Sequence, residues 1–138
     1  VCKVSVFEWP VRVYYEDTDA GGVVYYANYL RYLERARTEW LRHLGFEQDH
    51  LMRDVGIVFA VRRVEIDYLL PARFDDALTV EAAVETISKV ALTFRQAITR
   101  APDSLLSRAL VQVVCLDRNR FRPTAIPADI REKMYAQQ

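Results

Sequence analysis

The longest helical pattern in the chain begins at Asn28 and ends near Leu44. Apolar residues recur there at helical spacing, and charged residues lie largely on the opposite side. Asn28 is a good N-cap residue, and Gly45 stands where a glycine commonly ends a helix. The pattern predicts one long amphipathic helix over residues 28–44, whose apolar positions are Leu30, Leu33, Ala36, Trp40, Leu41 and Leu44.

Alternation of apolar and polar residues predicts strands in most of the remaining chain. Residues 11–15 are β-branched and apolar, so they predict a first strand before a loop with two glycines. Four longer strand patterns follow the helix, at residues 57–68, 78–85, 90–98 and 109–116. Arg62 and Arg63 break the phase of the first of these, which predicts a bulge or bend. Pro127 is placed to open a short closing helix, with Ile130 and Met134 directed inward.

The last long strand pattern is apolar on both of its faces. Ala109, Val111, Val113 and Cys115 form one face, and Leu110, Val114 and Leu116 form the other. A strand buried on both faces is central in its sheet or lies at an interface. One helix covers only one face of a sheet, so the chain is expected to self-associate.

The order of these elements predicts an α+β fold. A single long helix must bury its apolar stripe, and the sheet is the only large surface available for it. The expected architecture is a five-stranded antiparallel sheet wrapped around one long central helix, which is the hotdog fold. We find no repeat, low-complexity segment or linker in the sequence. Residues 1–138 are therefore expected to form a single domain.

Composition and charge exclude several classes of function. Lys and Arg together number 19, as do Asp and Glu, so the formal net charge is zero. This balance argues against a nucleic-acid or membrane-surface binder. The start of the sequence has no signal-peptide core, and no apolar run is long enough to span a membrane. Cys2 and Cys115 form no CxxC pair, so a zinc site or disulfide framework is not expected, and a cytoplasmic location fits.

Residues 13–29 carry the features that favour chemistry. Asp17 and Asp19 follow the first strand, Gly21 and Gly22 come next, and the long helix begins within ten residues. A helix N-terminus offers unpaired N–H groups that stabilise an oxyanion, by about 2.7–4 kcal/mol per donor. A nearby carboxylate can attack a carbonyl directly or activate a water. Neither His43 nor His50 belongs to a nucleophile elbow, so no serine-type triad is evident.

This segment resembles the 4-hydroxybenzoyl-CoA thioesterase family. The residues Asp17-Thr18-Asp19-Ala20-Gly21-Gly22-Val23-Val24-Tyr25-Tyr26-Ala27-Asn28-Tyr29 fit the pattern D-x-D-x-x-G-x-V-x-(Y/F)-x-(N/S)-Y. The resemblance is strong to the Tol–Pal-associated acyl-CoA thioesterases of bacteria, and segments 7–13, 31–39, 68–76 and 113–117 extend it over nearly the whole chain. It implies a hotdog fold and hydrolysis of acyl-CoA thioesters, with acyl-carrier-protein thioesters as the alternative substrate, and no metal or cofactor is expected.

The resemblance also implies roles for individual residues. Asp19, the second aspartate of the motif, is the expected catalytic carboxylate, and the backbone N–H of Tyr26 is the expected oxyanion donor. Asp17 is expected to make structural hydrogen bonds. Dimers that pair into a homotetramer are expected, with CoA along a protomer boundary. The expected substrate-binding residues, of which the last four would contact CoA phosphates, are Gly22, Val23, Tyr25, Asn28, Lys89, Arg118, Arg120 and Arg122.

Several alternatives stay open at this point. Many Tol–Pal-associated relatives carry His where this chain has Tyr26, so a mechanism that needs an imidazole there is not expected. Asp19 is compatible with direct attack and with water activation, and the sequence does not identify the acyl group. The alternative function is a non-catalytic hotdog module that binds acyl chains or acts in assembly. A dehydratase is disfavoured, because those enzymes generally use a His paired with a carboxylate.

Overall fold

The computed structural model describes residues 6–138, so Cys2 and the rest of segment 1–5 lie outside it. In the described residues, five antiparallel strands form one sheet in the order β1-β3-β4-β5-β2. The strands are β1 (Phe7–Arg12), β2 (Ile57–Tyr68), β3 (Ala77–Ile87), β4 (Ala91–Arg100) and β5 (Ser104–Asp117). The helices are α1 (Asn28–His43), the short α2 (Gln48–His50) and α3 (Ala128–Tyr135). The predicted five-stranded α+β fold is confirmed.

Helix α1 lies on the inner face of the sheet and supplies much of the core. It packs chiefly against β1 and β3, with a smaller contact to β4. Burial of each large apolar side chain contributes about 1.5–3 kcal/mol, which accounts for the position of the helix. The buried side chains of α1 are those of Tyr29, Tyr32, Leu33, Ala36, Trp40 and Leu41. The predicted amphipathic helix is therefore confirmed, and Gly45 follows it with a φ of 100°.

The first strand is earlier than predicted. It covers Phe7–Arg12, and the chain leaves the sheet before Tyr15–Asp17 forms a 3₁₀ turn. The reason is a hydrogen bond at 2.9 Å from the Tyr14 N–H to the Asp17 carboxylate, which folds residues 14–17 into a tight turn. An alternating pattern shows which residues suit a strand. Here the Asp17 carboxylate accepts a backbone hydrogen bond that would otherwise go to the sheet, and the strand ends before it.

The predicted N-cap role of Asn28 is wrong. Ala27 occupies the cap position, and Asn28 is the first residue of α1. The Asn28 side-chain amide instead donates a hydrogen bond to the Asp17 carbonyl at 2.8 Å. The Asn28 side chain therefore bonds to Asp17, eleven residues earlier in the chain, and does not cap the helix.

The predicted bulge in β2 is confirmed, since its register against β5 shifts between Val61 and Arg63. The extra residue keeps apolar side chains on the inner face both before and after it, including Phe59 and Val64. The segment before β2 was missed: α2 continues into a π-helical turn at Leu51–Val55.

Strand β5 is buried on both faces, as predicted. Val111, Val113 and Cys115 belong to the main core beneath α1. Val114 and Leu116 form a small second cluster with Ala91, against which Val58, Ala60 and Val90 pack. Part of the outer face of the sheet is therefore apolar. Helix α3 closes the fold with Ile130 and Met134 buried, which confirms their predicted direction.

Candidate active site

Asp17 is the structural anchor of the loop before α1. Its side chain is only 7% exposed, and one carboxylate oxygen accepts hydrogen bonds from the Tyr14 N–H and the Tyr32 hydroxyl, both at 2.9 Å. Its carbonyl accepts from the Tyr25 N–H at 3.0 Å and from the Asn28 amide. Burial raises the pKa of the Tyr32 hydroxyl, which therefore remains a proton donor at neutral pH. Asp17 joins the end of the first strand to the start of the helix.

Asp19 lies two residues further on and is exposed. Its backbone N–H donates to the Val23 carbonyl at 2.9 Å, and its carbonyl accepts from the Gly22 N–H at 3.0 Å. One carboxylate oxygen, Oδ1, accepts from the Gly21 N–H at 2.8 Å. Within residues 6–138, Oδ2 has no hydrogen-bond partner. The turn therefore holds the carboxylate in place and leaves one oxygen available.

The two glycines are both required by this turn. A Cβ atom on Gly21 would lie 3.2 Å from Oδ1 of Asp19, closer than an ordinary van der Waals contact. Gly22 has a φ of 79°, a left-handed conformation that costs energy for residues with a side chain. The glycines thus allow the backbone to wrap closely around the Asp19 carboxylate.

The start of α1 presents two free backbone donors. The N–H groups of Tyr26 and Ala27 have no hydrogen-bond partner in the part of the chain that the structure describes, whereas the Asn28 N–H donates to the Tyr25 carbonyl at 2.8 Å. These donors lie at the positive end of the helix dipole. They are suited to an anionic oxygen, which is the role predicted for the Tyr26 N–H.

Tyrosine side chains surround the helix start. The Tyr68 hydroxyl, at the end of β2, donates to the Tyr26 carbonyl at 3.1 Å, and its ring lies 5.2 Å from that of Tyr29. The Tyr29 hydroxyl accepts from the Ala72 N–H at 3.0 Å. The sequence analysis did not include Tyr68 or Tyr29 in the site. In the sequence, Tyr68 alternates with polar residues in the same phase as Val64 and Ile66, and this pattern could have indicated that its ring lies on the inner face of β2.

Tyr25 is exposed and close to both Tyr26 and Asp19. The ring centroids of Tyr25 and Tyr26 are 4.9 Å apart. The neighbouring Tyr26 hydroxyl raises the pKa of Tyr25, and the negative charge of Asp19 adds to this effect. Tyr25 therefore remains a neutral phenol beside the carboxylate at neutral pH.

The four predicted phosphate-binding cations lie at the other end of the sheet. Lys89 follows β3 and the three arginines follow β5, whereas the Asp19 loop contacts the segment that precedes β3. The intervening strand β4 has 10 residues, so the two ends are about 30 Å apart. In addition, Arg118 donates to the Met52 carbonyl at 2.9 Å. The structure of one chain does not bring Lys89, Arg118, Arg120 and Arg122 to Asp19.

The described residues contain no cluster of His, Cys, Asp or Glu suited to a metal ion. Nor do they include a helix that is long and apolar enough to cross a membrane. The groups that the loop and the helix start offer are the Asp19 carboxylate and two backbone N–H groups. This arrangement can hold a carbonyl group and promote nucleophilic attack on its carbon.

Comparison with known proteins agrees with this chemistry. The profile of the thioesterase-like superfamily matches residues 13–134. The chain is 48% identical over 128 residues to the acyl-CoA thioester hydrolase YbgC of Escherichia coli, covering 93% of this chain and 95% of that protein. It is 46% identical over 129 residues to the acyl-CoA thioesterase YbgC of Haemophilus influenzae, with 94% of each chain covered.

Solved structures give the same result for the fold. A probable thioesterase from Bartonella henselae has a TM-score of 0.85 at 32% identity, covering 89% of this chain and all of that one. A 4-hydroxybenzoyl-CoA thioesterase has a TM-score of 0.87 at 24% identity, covering 94% and 99%, and supports the fold alone. The predicted resemblance, the hotdog fold and the class of enzyme, a thioester hydrolase, are confirmed. The chain belongs to the thioesterase-like superfamily.

Proposed function

We propose that this chain hydrolyses acyl-CoA thioesters to the free acid and CoA, with Asp19 as the catalytic carboxylate. The observation that carries the proposal is that the loop before α1 and the helix start leave Oδ2 of Asp19 and the N–H groups of Tyr26 and Ala27 without hydrogen-bond partners among the described residues. The names of the relatives with 46–48% identity support the substrate class. The proposed location is the cytoplasm, where a reduced thiol such as Cys115 is stable.

The reaction begins with the thioester carbonyl oxygen directed at the Tyr26 and Ala27 N–H groups. These donors stabilise the negative charge that develops on this oxygen in the tetrahedral state. In one route, Asp19 removes a proton from a water as the water attacks the carbonyl carbon. Collapse of the intermediate breaks the carbon–sulfur bond, and the CoA thiolate leaves. A thiol has a pKa of about 8.5, so the thiolate departs without a general acid.

In the second route, Asp19 itself attacks the carbonyl carbon and forms a mixed anhydride as the thiolate leaves. A water then hydrolyses the anhydride and regenerates the carboxylate. A single turnover in ¹⁸O-labelled water tests the second route. Label in the Asp19 side chain shows an anhydride hydrolysed at the Asp19 carbonyl, whereas label in the product acid alone results from water activation and from attack of water on the acyl carbonyl of an anhydride. Mass spectrometry of the acid and of the Asp19 peptide measures both.

The other predicted substrate-binding residues shape the mouth of the site. Gly22 and Val23 form the wall of the Asp19 turn, and the exposed Tyr25 ring lies beside it. Asn28 acts indirectly, because its side-chain amide is used by the Asp17 carbonyl. We therefore assign direct contact with the substrate to Gly22, Val23 and Tyr25, and a positioning role to Asn28.

A homotetramer supplies the remaining part of the site. Strand β2 has 12 residues and lies at the edge of the sheet, so one side of it is free to pair. Antiparallel pairing of two β2 strands places Ile57 of the second copy near Tyr68 of the first. Since Ile57 pairs with Asp117 within a chain, the cations that follow Asp117 then approach the site across the boundary. The apolar outer face around Val114 is available for pairing of dimers.

A panel of acyl-CoAs and matched acyl-carrier-protein thioesters tests the function, with thiol release read by a thiol-reactive dye. The expected result is release by the wild-type chain and almost none by Asp19→Asn. If the folded wild-type chain released thiol from no member of the panel, the result would contradict hydrolysis and favour the alternative function, a non-catalytic module for acyl binding or assembly. Light scattering that gave the mass of a monomer, 16.1 kDa, at micromolar concentration would contradict the proposed assembly.

A further inference from the structure

A cleft separates α1 from the half of the inner sheet face that the helix does not cover. Helix α1 packs chiefly on β1 and β3, so inner side chains of β2 such as Phe59 and Val64 are only partly buried. The volume of this cleft is about 270 Å³, near the lower end of the range for ligand pockets. Its floor is apolar, formed by Phe59, Val61, Leu92, Phe94 and Val113.

The side chain of Arg37 lies in the wall of this cleft. Gln96, which is 1% exposed, donates through Nε2 to the Leu33 carbonyl at 3.0 Å. This bond directs its Oε1 at Arg37, whose guanidinium donates to it at 3.0 Å. A buried amide on β4 therefore fixes the position of an arginine on α1. The sequence analysis assigned no role to either side chain.

Arg37 forms no ion pair within the described residues. Glu34 lines the same cleft, and its negative charge favours the cationic form of Arg37, but the two side chains form no ion pair. Burial lowers the pKa of Arg37 to about 10, so the group is still a cation at neutral pH. A guanidinium has five N–H donors, and it pairs well with a carboxylate.

The cleft and the candidate active site lie along one seam between α1 and β2. Strand β2 runs from Phe59 in the cleft floor to Tyr68, which holds the Tyr26 carbonyl. Arg37 is nine residues after the start of α1, or about 14 Å along the helix axis. An acyl group whose carbonyl carbon lies at the helix start must therefore span about 14 Å along the helix axis to reach Arg37.

We propose that Arg37, held by Gln96, binds a carboxylate at the far end of the acyl group. The preferred substrates are then acyl-CoAs whose acyl group has a terminal carboxylate. A carboxylate can pair with the half-buried guanidinium, which forms no ion pair within the described residues, and the apolar floor accommodates the chain between the two ends. This inference rests on the proposed hydrolysis of acyl-CoA at Asp19.

The test compares pairs of acyl-CoAs of equal chain length, one with a terminal methyl group and one with a terminal carboxylate. The measured quantity is the ratio of kcat/KM for the carboxylated over the methyl-terminated substrate. In the wild-type chain this ratio is expected to exceed one at the best chain length. In Arg37→Gln it is expected to fall by about 10- to 100-fold, which is the loss of a charge-assisted hydrogen bond.

Two further variants make the test specific. Arg37→Lys keeps the charge and is expected to retain part of the preference, because an ammonium binds a carboxylate through one point only. Glu34→Gln removes a neighbouring charge from the same cleft wall and is expected to keep or increase the preference. A fall of the ratio in Glu34→Gln equal to that in Arg37→Gln would contradict a specific role for Arg37.

Other results overturn the inference and separate it from the proposed function. A wild-type ratio of one or less at every chain length overturns it, even if Arg37→Gln fails to fold. An unchanged ratio in Arg37→Gln, with an altered assembly state, would make Arg37 an interface residue instead. Hydrolysis of methyl-terminated acyl-CoAs without preference for the carboxylated ones rejects this inference alone. Absence of thiol release from both substrates rejects the proposed function.

Discussion

Asp17 and Asp19 are two residues apart and occupy opposite environments. The Asp17 carboxylate is buried and accepts two hydrogen bonds through one oxygen, and its carbonyl accepts two more. The Asp19 carboxylate is exposed, with a single hydrogen bond from the Gly21 N–H. The first carboxylate is used to connect the elements of the fold, and the second is available to a substrate.

Within one short loop, Asp17 is expected to contribute to stability and Asp19 to catalysis. A carboxylate whose hydrogen bonds are all internal contributes to stability, because its removal leaves buried donors unsatisfied. A carboxylate with a free oxygen contributes little to stability and can take a proton or attack a carbon. Substitutions at each residue should therefore affect different measurements.

The largest expected effect is on the chemical step in Asp19→Asn. The amide oxygen keeps the bond from the Gly21 N–H, but the side chain can neither accept a proton as a base nor attack. The expected loss in kcat is on the order of 10²–10⁴. Thiol release measures the loss, and the thermal unfolding temperature should stay close to that of the wild-type chain. An active, folded Asp19→Asn would contradict the assignment of Asp19.

Asp17→Asn should show the reverse pattern. The amide loses the charge that strengthens the bonds from the Tyr14 N–H and the Tyr32 hydroxyl. The expected loss of unfolding free energy is about 1.5–3 kcal/mol, measured by urea denaturation. The decrease in kcat should be smaller than that of Asp19→Asn, because the free oxygen and the helix donors remain. A stable Asp17→Asn without activity would assign the catalytic carboxylate to Asp17.

Two tyrosines extend the comparison between Asp19 and Asp17. The Tyr68 hydroxyl bonds to the helix start near Asp19, and the Tyr32 hydroxyl bonds to the Asp17 carboxylate. Tyr68→Phe removes the hydrogen bond to the Tyr26 carbonyl and loosens the backbone beside the free N–H groups. We expect kcat to fall by about 5-fold with little change in KM, since a net hydrogen bond is worth about 1 kcal/mol. Tyr32→Phe is the matched control and should lower stability more than kcat. Equal changes in both variants would show that Tyr68 only supports the fold.

The smallest expected effect concerns the cations at the far end of the sheet. Neutralising Lys89, Arg120 and Arg122 together should raise KM for acyl-CoA a few-fold and weaken its dependence on salt. Exposed charges act over about 8–10 Å at physiological salt, so kcat and stability should change little. The measurement is initial rates at several salt concentrations. An unchanged KM would place the CoA phosphates elsewhere.

The sequence determined most of the architecture. The apolar periodicity of residues 28–44 fixed the face of α1, and alternation located β2 to β5 and the bulge after Val61. These predictions succeed because burial of one face depends on the spacing of residues along one element. The motif around Asp19 also predicted that a loop with two glycines leads directly into the helix, and the structure has this order. Gly22, with its positive φ, agrees with the turn that the two glycines predicted.

Only the tertiary structure decided which polar groups form hydrogen bonds with each other. Asn28 looked like a helix cap, but its amide bonds to the Asp17 carbonyl. Gln96 occupies the inner face of β4 because the Leu33 carbonyl of α1 accepts its amide hydrogen. The cations after β5 lie far from Asp19 because antiparallel strands place successive turns at opposite ends of the sheet. Residue spacing fixes a side chain's direction from its own element, whereas its hydrogen-bond partner depends on elements that meet only after folding.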